Sequence, residues 1–428
     1  MDPACGLGIR PDIEEVYRLA NDYLRPMKIS EFDVAILGGG VVGLSIGISL
    51  LKESSKLRVV ILEKENSVGL HASGRNSGVL HAGFYYSPDS LKAKFCRDGN
   101  VAIKQLFSKF NLPILECGKV VVTQNEEDEK QIDKLFERGS LNGVKLEIQD
   151  AKNLHYYEPL AKTFRRFLWS PNTAVANPVQ LAEILKSQFL ELGGYIKYSA
   201  RAKIELKEQI NLSDEDVSAK HIVNASGAYA DVLAKQIGIA EKYSMIPFAG
   251  IYRIIGAEKI PLKTLVYPVP HAINPFLGVH FTRTLDGHVK IGPTAIPIFG
   301  REQYSWNSGW SFGDLRELLM GSISIIRGKE HHLSKMFSSE WPKFFQSRLI
   351  KESAKLVPIA SQATGWSKKP PGIRAQLVNR ETGKLEQDFV VENFLNSTHV
   401  LNAVSPGWTS AIPFGEYVAQ NFVLPNLN

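Results

Sequence analysis

The chain has 428 residues, of which 44% are hydrophobic and 22% charged, and its formal net charge is +6. A chain of this length is longer than one built around a single hydrophobic core, which favours two domains. The composition is typical of a globular protein. Apolar runs are strand-sized and Lys and Arg are scattered, which argues against an integral membrane protein and against a nucleic-acid surface.

The first 30 residues are predicted to be an extension. They lack the apolar centre of a signal peptide, and their acidic residues are unlike a transit peptide, so we expect a cytoplasmic protein. The positive charge also leaves loose contact with an anionic membrane open. Cys5, Cys96 and Cys117 have no C-x-x-C spacing, which favours reduced thiols over a disulfide framework or a metal site.

The most informative stretch runs from Phe32 to Leu51. A short apolar strand precedes glycines in G-x-G-x-x-G spacing, and small and apolar residues at helical spacing follow. Gly38 permits the turn, Gly40 allows a pyrophosphate close to the backbone, and Gly43 lets helix and strand pack. A second strand, 58–62, ends in Glu63, 20 positions beyond Gly43, where a carboxylate can bind a ribose. The pattern predicts a dinucleotide, either FAD or NAD.

Residues 71–86 are predicted to be a second cofactor loop. The stretch is dense in glycines and small polar residues and contains His71 and His81. Its backbone N–H groups, hydroxyls and the Arg75 guanidinium suit a phosphate or a flavin ring. Further along, His221–Asp231 is again strand, glycine turn and helix, and a second such turn favours the long FAD molecule.

The remaining elements predict an α/β protein: an FAD-binding Rossmann-like domain with a second, antiparallel-sheet substrate domain. Helices are expected near 90–110, 126–142, 177–192 and 311–347, and strands near 118–123, 195–198, 250–253, 265–270, 277–283, 288–293, 372–376, 389–392 and 399–403. We assign 31–90, 165–245 and 365–428 to the FAD-binding domain and 91–164 and 246–364 to the substrate or cap domain.

Several blocks resemble the FAD-dependent oxidoreductases of the D-amino-acid-oxidase superfamily. The general resemblance rests on the glycine motif with Glu63, on residues 73–86 and on Cys117–Lys119. Within it, residues 90–94, 267–270, 275–280 and 372–376 are most similar to the L-2-hydroxyglutarate dehydrogenase family. The turn Pro406–Trp408 is bulkier than that family's usual small-residue turn, so the substrate could differ.

The resemblance implies FAD as the cofactor and oxidation of a 2-hydroxy acid, foremost L-2-hydroxyglutarate to 2-oxoglutarate, by hydride transfer to the flavin. The implied cofactor-binding residues are Gly38, Gly40, Gly43, Glu63, Lys64, Ser73, Arg75, Asn76, Ser77, Gly78, Ala225, Gly227, Gly372, Pro406, Gly407, Trp408 and Thr409.

The implied reaction needs a base for the hydroxyl proton and donors for carboxylate. Imidazole accepts a proton near neutral pH, so the candidates for the base are His81 first and His280 second. Arg283, Tyr252 and Arg374 are the candidates for carboxylate binding, with Arg253 as an alternative. A five-carbon diacid requires two cationic ends.

Other functions remain open at this point. The runner-up is an amino-acid or glycerol-3-phosphate oxidase of the same superfamily, and the non-enzyme alternative is a flavin-binding scaffold. The partners expected are a small 2-hydroxy dicarboxylate and an electron acceptor, which is oxygen, a quinone or an electron-transfer protein. We expect neither a nucleic acid nor a metal.

Overall fold

A computed structural model describes residues 30–206, 210–212, 217–270, 278–305, 308–328 and 340–427. The predicted extension up to residue 29, with Cys5, and residues 275–277 of the 275–280 block lie outside the described residues.

The strands are, in chain order, β1 (Ser30–Leu37), β2 (Val59–Leu62), β3 (Val79–Leu80), β4 (Lys119–Val122), β5 (Glu147–Asp150), β6 (Arg166–Ser170), β7 (Ala174–Val175), β8 (Tyr195–Lys197), β9 (Ile204–Leu206), β10 (Ile210–Leu212), β11 (Val217–Asn224), β12 (Tyr243–Gly256), β13 (Leu265–Pro268), β14 (His280–Arg283), β15 (His288–Gly292), β16 (Ile296–Pro297), β17 (Ser367–Asn379), β18 (Val390–Phe394) and β19 (Ser397–Asn402). The α-helices are α1 (Val41–Glu53), α2 (Leu91–Lys109), α3 (Glu126–Leu141), α4 (Leu154–Tyr157), α5 (Pro178–Glu191), α6 (Ala230–Lys235), α7 (Phe312–Arg327), α8 (Gln346–Ser353) and α9 (Ala411–Val418).

The first sheet has the strand order β18-β19-β11-β1-β2-β8, and its strands are parallel except for the antiparallel β18–β19 pair. Residues 34–37 of β1 are all buried, because a central parallel strand is covered on both faces. Val34 and Ile36 belong to a core shared with α1, α2, α5 and α9, whereas Ala35 and Leu37 face a second core. The sheet therefore presents the carboxyl ends of its parallel strands as one edge.

The second sheet has the order β16-β12-β15-β14-β13-β4-β6-β5, and β17 pairs along β12. Its pairs are antiparallel except β13–β4, which is parallel. Val120 and Phe281 lie in a core with α8 on one face, and Val121 and Tyr267 lie in a core with α3 on the other. The predicted α/β fold with a largely antiparallel second sheet is confirmed.

Within the described residues the structure corrects the helix expected at 311–347, of which residues 329–339 lie outside the described part of the chain. α7 ends at Arg327, where Gly328 caps it, and a 3-10 turn, Trp341–Phe344, precedes α8. Pro342 lacks the N–H that a continuous α-helix needs. Within the expected loop 71–86, β3 forms a short antiparallel pair with β7.

Three elements lie across the predicted domain boundaries. α2 belongs to the predicted substrate segment 91–164, yet it packs in the core of the first sheet. β6 and β17 belong to predicted FAD-binding segments, yet they pair in the second sheet. Each element follows its apolar partners rather than its neighbours in sequence, and the division into domains stays a prediction.

Candidate active site

A cavity of about 590 Å³ lies between the two sheets. Leu37 and Leu62, the last residues of β1 and β2, line one side, and residues of β12, β14 and β17 line the other. Ligands of open parallel sheets bind at the carboxyl ends of the strands, so this is the expected place for a dinucleotide.

The glycine turn between β1 and α1 forms part of the cavity wall. Gly38 has a φ of +116°, and a Cβ there would lie 2.6 Å from the carbonyl oxygen of Ala225. A Cβ on Gly43 would lie 2.1 Å from the Gly38 carbonyl oxygen, so this position lets α1 pack against the turn. Gly40 lines the cavity and has no side chain of its own to cap α1, which suits the helix N-terminus to a phosphate.

Glu63 and Ser73 hold this turn in place while they line the cavity. The Glu63 carboxylate accepts hydrogen bonds from the Gly39 N–H at 2.7 Å and from the Glu65 N–H at 2.9 Å. Ser73 Oγ accepts a hydrogen bond from the Val41 N–H at 3.1 Å. The carboxylate is therefore fixed where a ribose can donate to it.

The second cofactor loop is held by hydrogen bonds from its own side chains and from Lys290 of β15. Asn76 Nδ2 donates to the Ser73 carbonyl at 2.8 Å, and Asn76 Oδ1 accepts from the Gly78 N–H at 2.9 Å. Arg75 Nε donates to the Leu70 carbonyl at 2.8 Å, and Lys290 Nζ donates to the Ser77 carbonyl at 3.2 Å.

Most of the predicted cofactor residues share this one cavity. The cavity wall includes Gly38, Gly40, Glu63, Lys64, Ser73, Arg75, Asn76, Ser77, Ala225, Gly227, Gly372, Pro406, Gly407, Trp408 and Thr409. Gly43 and Gly78 are not on it. A Cβ on Gly78 would lie 2.5 Å from the Ala176 carbonyl oxygen, so Gly78 serves the approach of β3 to β7 instead.

His81 lies on the cavity wall and is 9% exposed. Its backbone N–H donates to Thr409 Oγ1 at 3.4 Å, and its carbonyl accepts from Asn100 Nδ2 at 3.2 Å. The ring Nδ1 has no hydrogen-bond partner among the described residues. Burial, and then the positive charge of Lys119, holds the pKa of His81 well below its usual value, so the ring is neutral near pH 7.

His280 lies on the same wall and stacks on Tyr267, with ring centroids 3.7 Å apart. Its Nδ1 lies 2.8 Å from the Gly278 carbonyl oxygen and must donate, because a carbonyl only accepts. Burial lowers the pKa of His280 to about 3. Its Nε2 is therefore an unprotonated acceptor at neutral pH.

Arg374 and Tyr252 complete the wall at this end of the cavity. Burial lowers the pKa of Arg374, and the nearby phenols of Tyr86 and Tyr252 oppose that effect. Burial also raises the pKa of Tyr252 to about 12, so its hydroxyl stays a donor at neutral pH. The cavity thus combines neutral imidazoles with a guanidinium and a phenol.

Arg283, a candidate for carboxylate binding, is not among the residues of the cavity wall. Its Nη1 donates to the Lys263 carbonyl oxygen. The alternative Arg253 is likewise absent from the wall, and its Nε donates to Gln346 Oε1 at 3.0 Å.

Sequence reasoning missed Tyr267, which lies on the cavity wall, and Lys119, which lies behind that wall against the Tyr267 ring. The Lys119 ammonium lies 4.1 Å from the centroid of the Tyr267 ring and 4.9 Å from that of Tyr85. It is fully buried, has no hydrogen-bond partner among the described residues, and burial lowers its pKa to about 7. The feature of the sequence that could have indicated Lys119 is its position as the single charged residue at the start of the otherwise apolar strand β4.

Comparison with known proteins decides the family. The family of FAD-dependent oxidoreductases abbreviated DAO matches residues 33–421. The chain belongs to this family of FAD-dependent oxidoreductases.

Among its relatives is the L-2-hydroxyglutarate dehydrogenase of Escherichia coli strain K12, 34% identical over 398 residues that cover 91% of this chain and 92% of the relative. The human mitochondrial L-2-hydroxyglutarate dehydrogenase is 30% identical over 419 residues, covering 92% and 89%. The L-alpha-glycerophosphate oxidase of Mycoplasma pneumoniae with FAD bound superposes with a TM-score of 0.71 at 21% identity, covering 92% of this chain and 95% of that one. The glycine oxidase of Geobacillus kaustophilus gives 0.65 at 19% identity, covering 91% and 94%. These two structures confirm the fold.

The residues of this oxidoreductase fit FAD. The cavity extends from Glu63 and Lys64 at the end of β2 to His81 and Arg374 at the second sheet, which suits an elongated dinucleotide. Trp408, on the cavity wall, buries an indole N–H with no partner among the described residues. In the described part of the chain, no helix is long and apolar enough to cross a membrane.

Proposed function

We propose that this FAD-dependent oxidoreductase oxidises L-2-hydroxyglutarate to 2-oxoglutarate. Relatives that cover about nine-tenths of the chain carry the name L-2-hydroxyglutarate dehydrogenase. The observation that carries the proposal is the meeting of neutral His81 with the buried Arg374 on one cavity wall. A hydroxy acid needs a proton acceptor and a carboxylate partner side by side.

In this proposal His81 accepts the hydroxyl proton of the substrate. Bound FAD supplies the two-electron acceptor for the hydrogen on the carbinol carbon. A base must be unprotonated before it acts, and the lowered pKa keeps the His81 ring in that form at neutral pH. His280 is the second candidate, because its Nε2 is also an unprotonated acceptor.

Two positive charges suit the two carboxylates of a five-carbon diacid. Arg374 lies on the wall and can bind one carboxylate in bidentate fashion, with the Tyr252 hydroxyl as a further donor. Lys119 lies behind the wall, against the Tyr267 ring, and its protonated form supplies the second positive charge. A substrate with one carboxylate would leave one of these charges without its counterpart.

We further propose a membrane surface as a peripheral partner and a membrane-dissolved quinone as the electron acceptor. The outer face of α7 exposes an apolar patch, which we define as Phe312, Leu319, Ile323 and Ile326, with exposed fractions of 82%, 54%, 46% and 73%. The spacing of these residues places them on one side of the helix, and Arg316 and Arg327 are exposed on the same helix. Apolar side chains beside basic ones suit an anionic bilayer.

The test follows the visible flavin absorbance under argon while substrates are added one at a time. L-2-Hydroxyglutarate should bleach the flavin, whereas its D-isomer, L-lactate, glycerol 3-phosphate and amino acids should not. Bleaching by an amino acid or by glycerol 3-phosphate instead would replace the proposed substrate. A short-chain quinone should then restore the absorbance faster than oxygen does.

The role of His81 is tested in the same assay. His81→Asn should slow flavin reduction by about 10²- to 10⁴-fold, the range for loss of a general base. His280→Asn tests the second candidate, and His155→Asn, an exposed histidine of α4, is the matched control. A large loss in His280→Asn with none in His81→Asn would transfer the role to His280.

A further inference from the structure

A short segment that follows strand β16 of the second sheet lines the dinucleotide part of the cavity. Residues 299–305, which we call the clasp, connect β16 to the region before α7, and Arg301, Glu302 and Tyr304 line the same cavity as Gly38 and Glu63. The glycine motif gives no indication of this segment, which lies more than 200 positions away in the chain.

The root of the clasp is fixed to α6 and α7. Arg301 is 2% exposed, and its guanidinium binds both carboxylate oxygens of Asp231 on α6, at 2.6 and 3.0 Å. Its Nε donates to Asp314 Oδ1 at 2.9 Å, and Nη1 also donates to the Ala228 carbonyl. A buried bidentate pair of this kind sets a defined geometry, so the clasp leaves the second sheet from a rigid base.

The tip of the clasp holds the two cofactor-binding segments that follow β2. Glu302 forms an ion pair with Lys64. The Tyr304 hydroxyl hydrogen-bonds His71 Nδ1 at 2.9 Å, and the Arg75 guanidinium lies 4.2 Å from the centroid of the Tyr304 ring. These contacts join the start and the end of residues 64–75 to one segment from outside the first sheet.

The same cluster is not a cation site. Glu65, His71 and Glu302 could together ligate a metal ion, but the Lys64 ammonium contacts all three side chains. Its positive charge takes the place that a metal ion would need. The cluster is therefore complete with residues of the chain itself.

We propose that Glu302 and Tyr304 retain the cofactor, by closing the clasp over the adenosine diphosphate part of FAD. FAD leaves its site only when residues 64–75 separate from residues 299–305, so each clasp contact slows release. The inference rests on membership of the FAD-dependent family and holds for any substrate.

The experiment measures FAD release after dilution of the holoprotein, followed by the rise in flavin fluorescence. Tyr304→Phe removes one hydrogen bond and Glu302→Gln removes one ion pair, and each should speed release by about five- to tenfold. Glu183→Gln, which breaks the Glu183–Lys186 ion pair on α5 away from the cavity, is the matched control and should release FAD at the wild-type rate. Wild-type release rates in both clasp variants would overturn the proposal. So would flavin that stays attached to the denatured chain, because a covalent cofactor needs no clasp.

A second measurement needs no substitution. Adding FAD to the wild-type apoprotein should slow amide hydrogen exchange in residues 299–305 and leave α3, which does not line the cavity, unchanged. Unchanged exchange in the clasp would overturn the proposal even if the variants failed to fold. Neither readout depends on which acid is oxidised, so failure here is distinct from failure of the proposed substrate.

Discussion

Lys119→Met should make the protein more stable. The shift of the Lys119 pKa from 10.5 to about 7 corresponds to roughly 4 kcal/mol of unfavourable free energy at pH 7, because burial disfavours the ammonium. Methionine keeps much of the volume and removes the charge, but it gives up the attraction between the ammonium and the ring of Tyr267, about 1 to 2 kcal/mol. The net expectation is a gain of about 2 kcal/mol, as for other buried charges replaced by apolar residues.

The pH dependence supplies an independent check. Because the folded pKa lies below the unfolded one, the unfolded chain binds more protons between pH 7 and pH 10.5, and stability rises across that window. Lys119 should contribute a rise of about 2 kcal/mol between pH 7 and pH 9, and this rise should be absent from Lys119→Met.

Urea unfolding of the apoprotein at both pH values measures these differences. Lys130→Met, which replaces an exposed lysine of α3, is the matched control and should change stability by less than about 0.5 kcal/mol. Destabilisation of Lys119→Met, or a pH slope equal to that of the wild type, would refute the reasoning that this ammonium is buried without compensation. With FAD bound, the variant should also lose affinity for L-2-hydroxyglutarate more than for L-lactate.

Two further outcomes follow from the described residues. His221 and His399 are buried between β11 and β19 with pKa values lowered to about 4, so stability should fall as the pH drops from 6.5 towards 4, by about 2 kcal/mol per histidine at pH 5. Urea unfolding at pH 7.5 and pH 5 measures the stability lost on acidification, and His399→Gln should lose about 2 kcal/mol less than the wild type. An equal loss of stability in the variant would contradict the lowered pKa of His399. The apolar patch of α7 should bind anionic lipid vesicles in a sedimentation assay; Ile326→Asp should abolish binding, and Val101→Asp, at an exposed valine of α2, should not. Binding that survives Ile326→Asp would remove the patch as the contact.

The cofactor half of the site could be predicted because its determinants are local in sequence. The turn at Gly38–Gly43 requires glycine for steric reasons that a single stretch reveals, and Glu63 follows at a fixed spacing because one βαβ unit has a nearly fixed length. The loop around Asn76 could be recognised for the same reason, since its side chains bond within a few residues. Structural features that form within one short stretch can therefore be recognised from the residues of that stretch.

The substrate half and the clasp depend on pairings that no local pattern contains. Arg283 and Arg374 both lie on strands, but only the pairing of β12 with β17 places Arg374 on the cavity wall. Lys119 lies against Tyr267, behind the cavity wall, because β4 pairs with β13, and this pair links residues far apart in the chain. Tyr304 meets His71 across 233 positions. Such contacts follow from the way in which distant strands pair in the sheets, and no short stretch of the sequence indicates that pairing.

On the proposed function, we expect the buried charge of Lys119 to favour diacids. A buried charge without an opposite charge destabilises the folded protein by several kcal/mol, and an anion that binds close to it offsets part of that free energy. A 2-hydroxy acid with one carboxylate can bind Arg374 but leaves the penalty at Lys119 in place, whereas a second carboxylate relieves it. We therefore expect part of the free energy that the folded protein loses at Lys119 to be regained when the dicarboxylate binds, so that the same buried ammonium lowers stability and favours diacids.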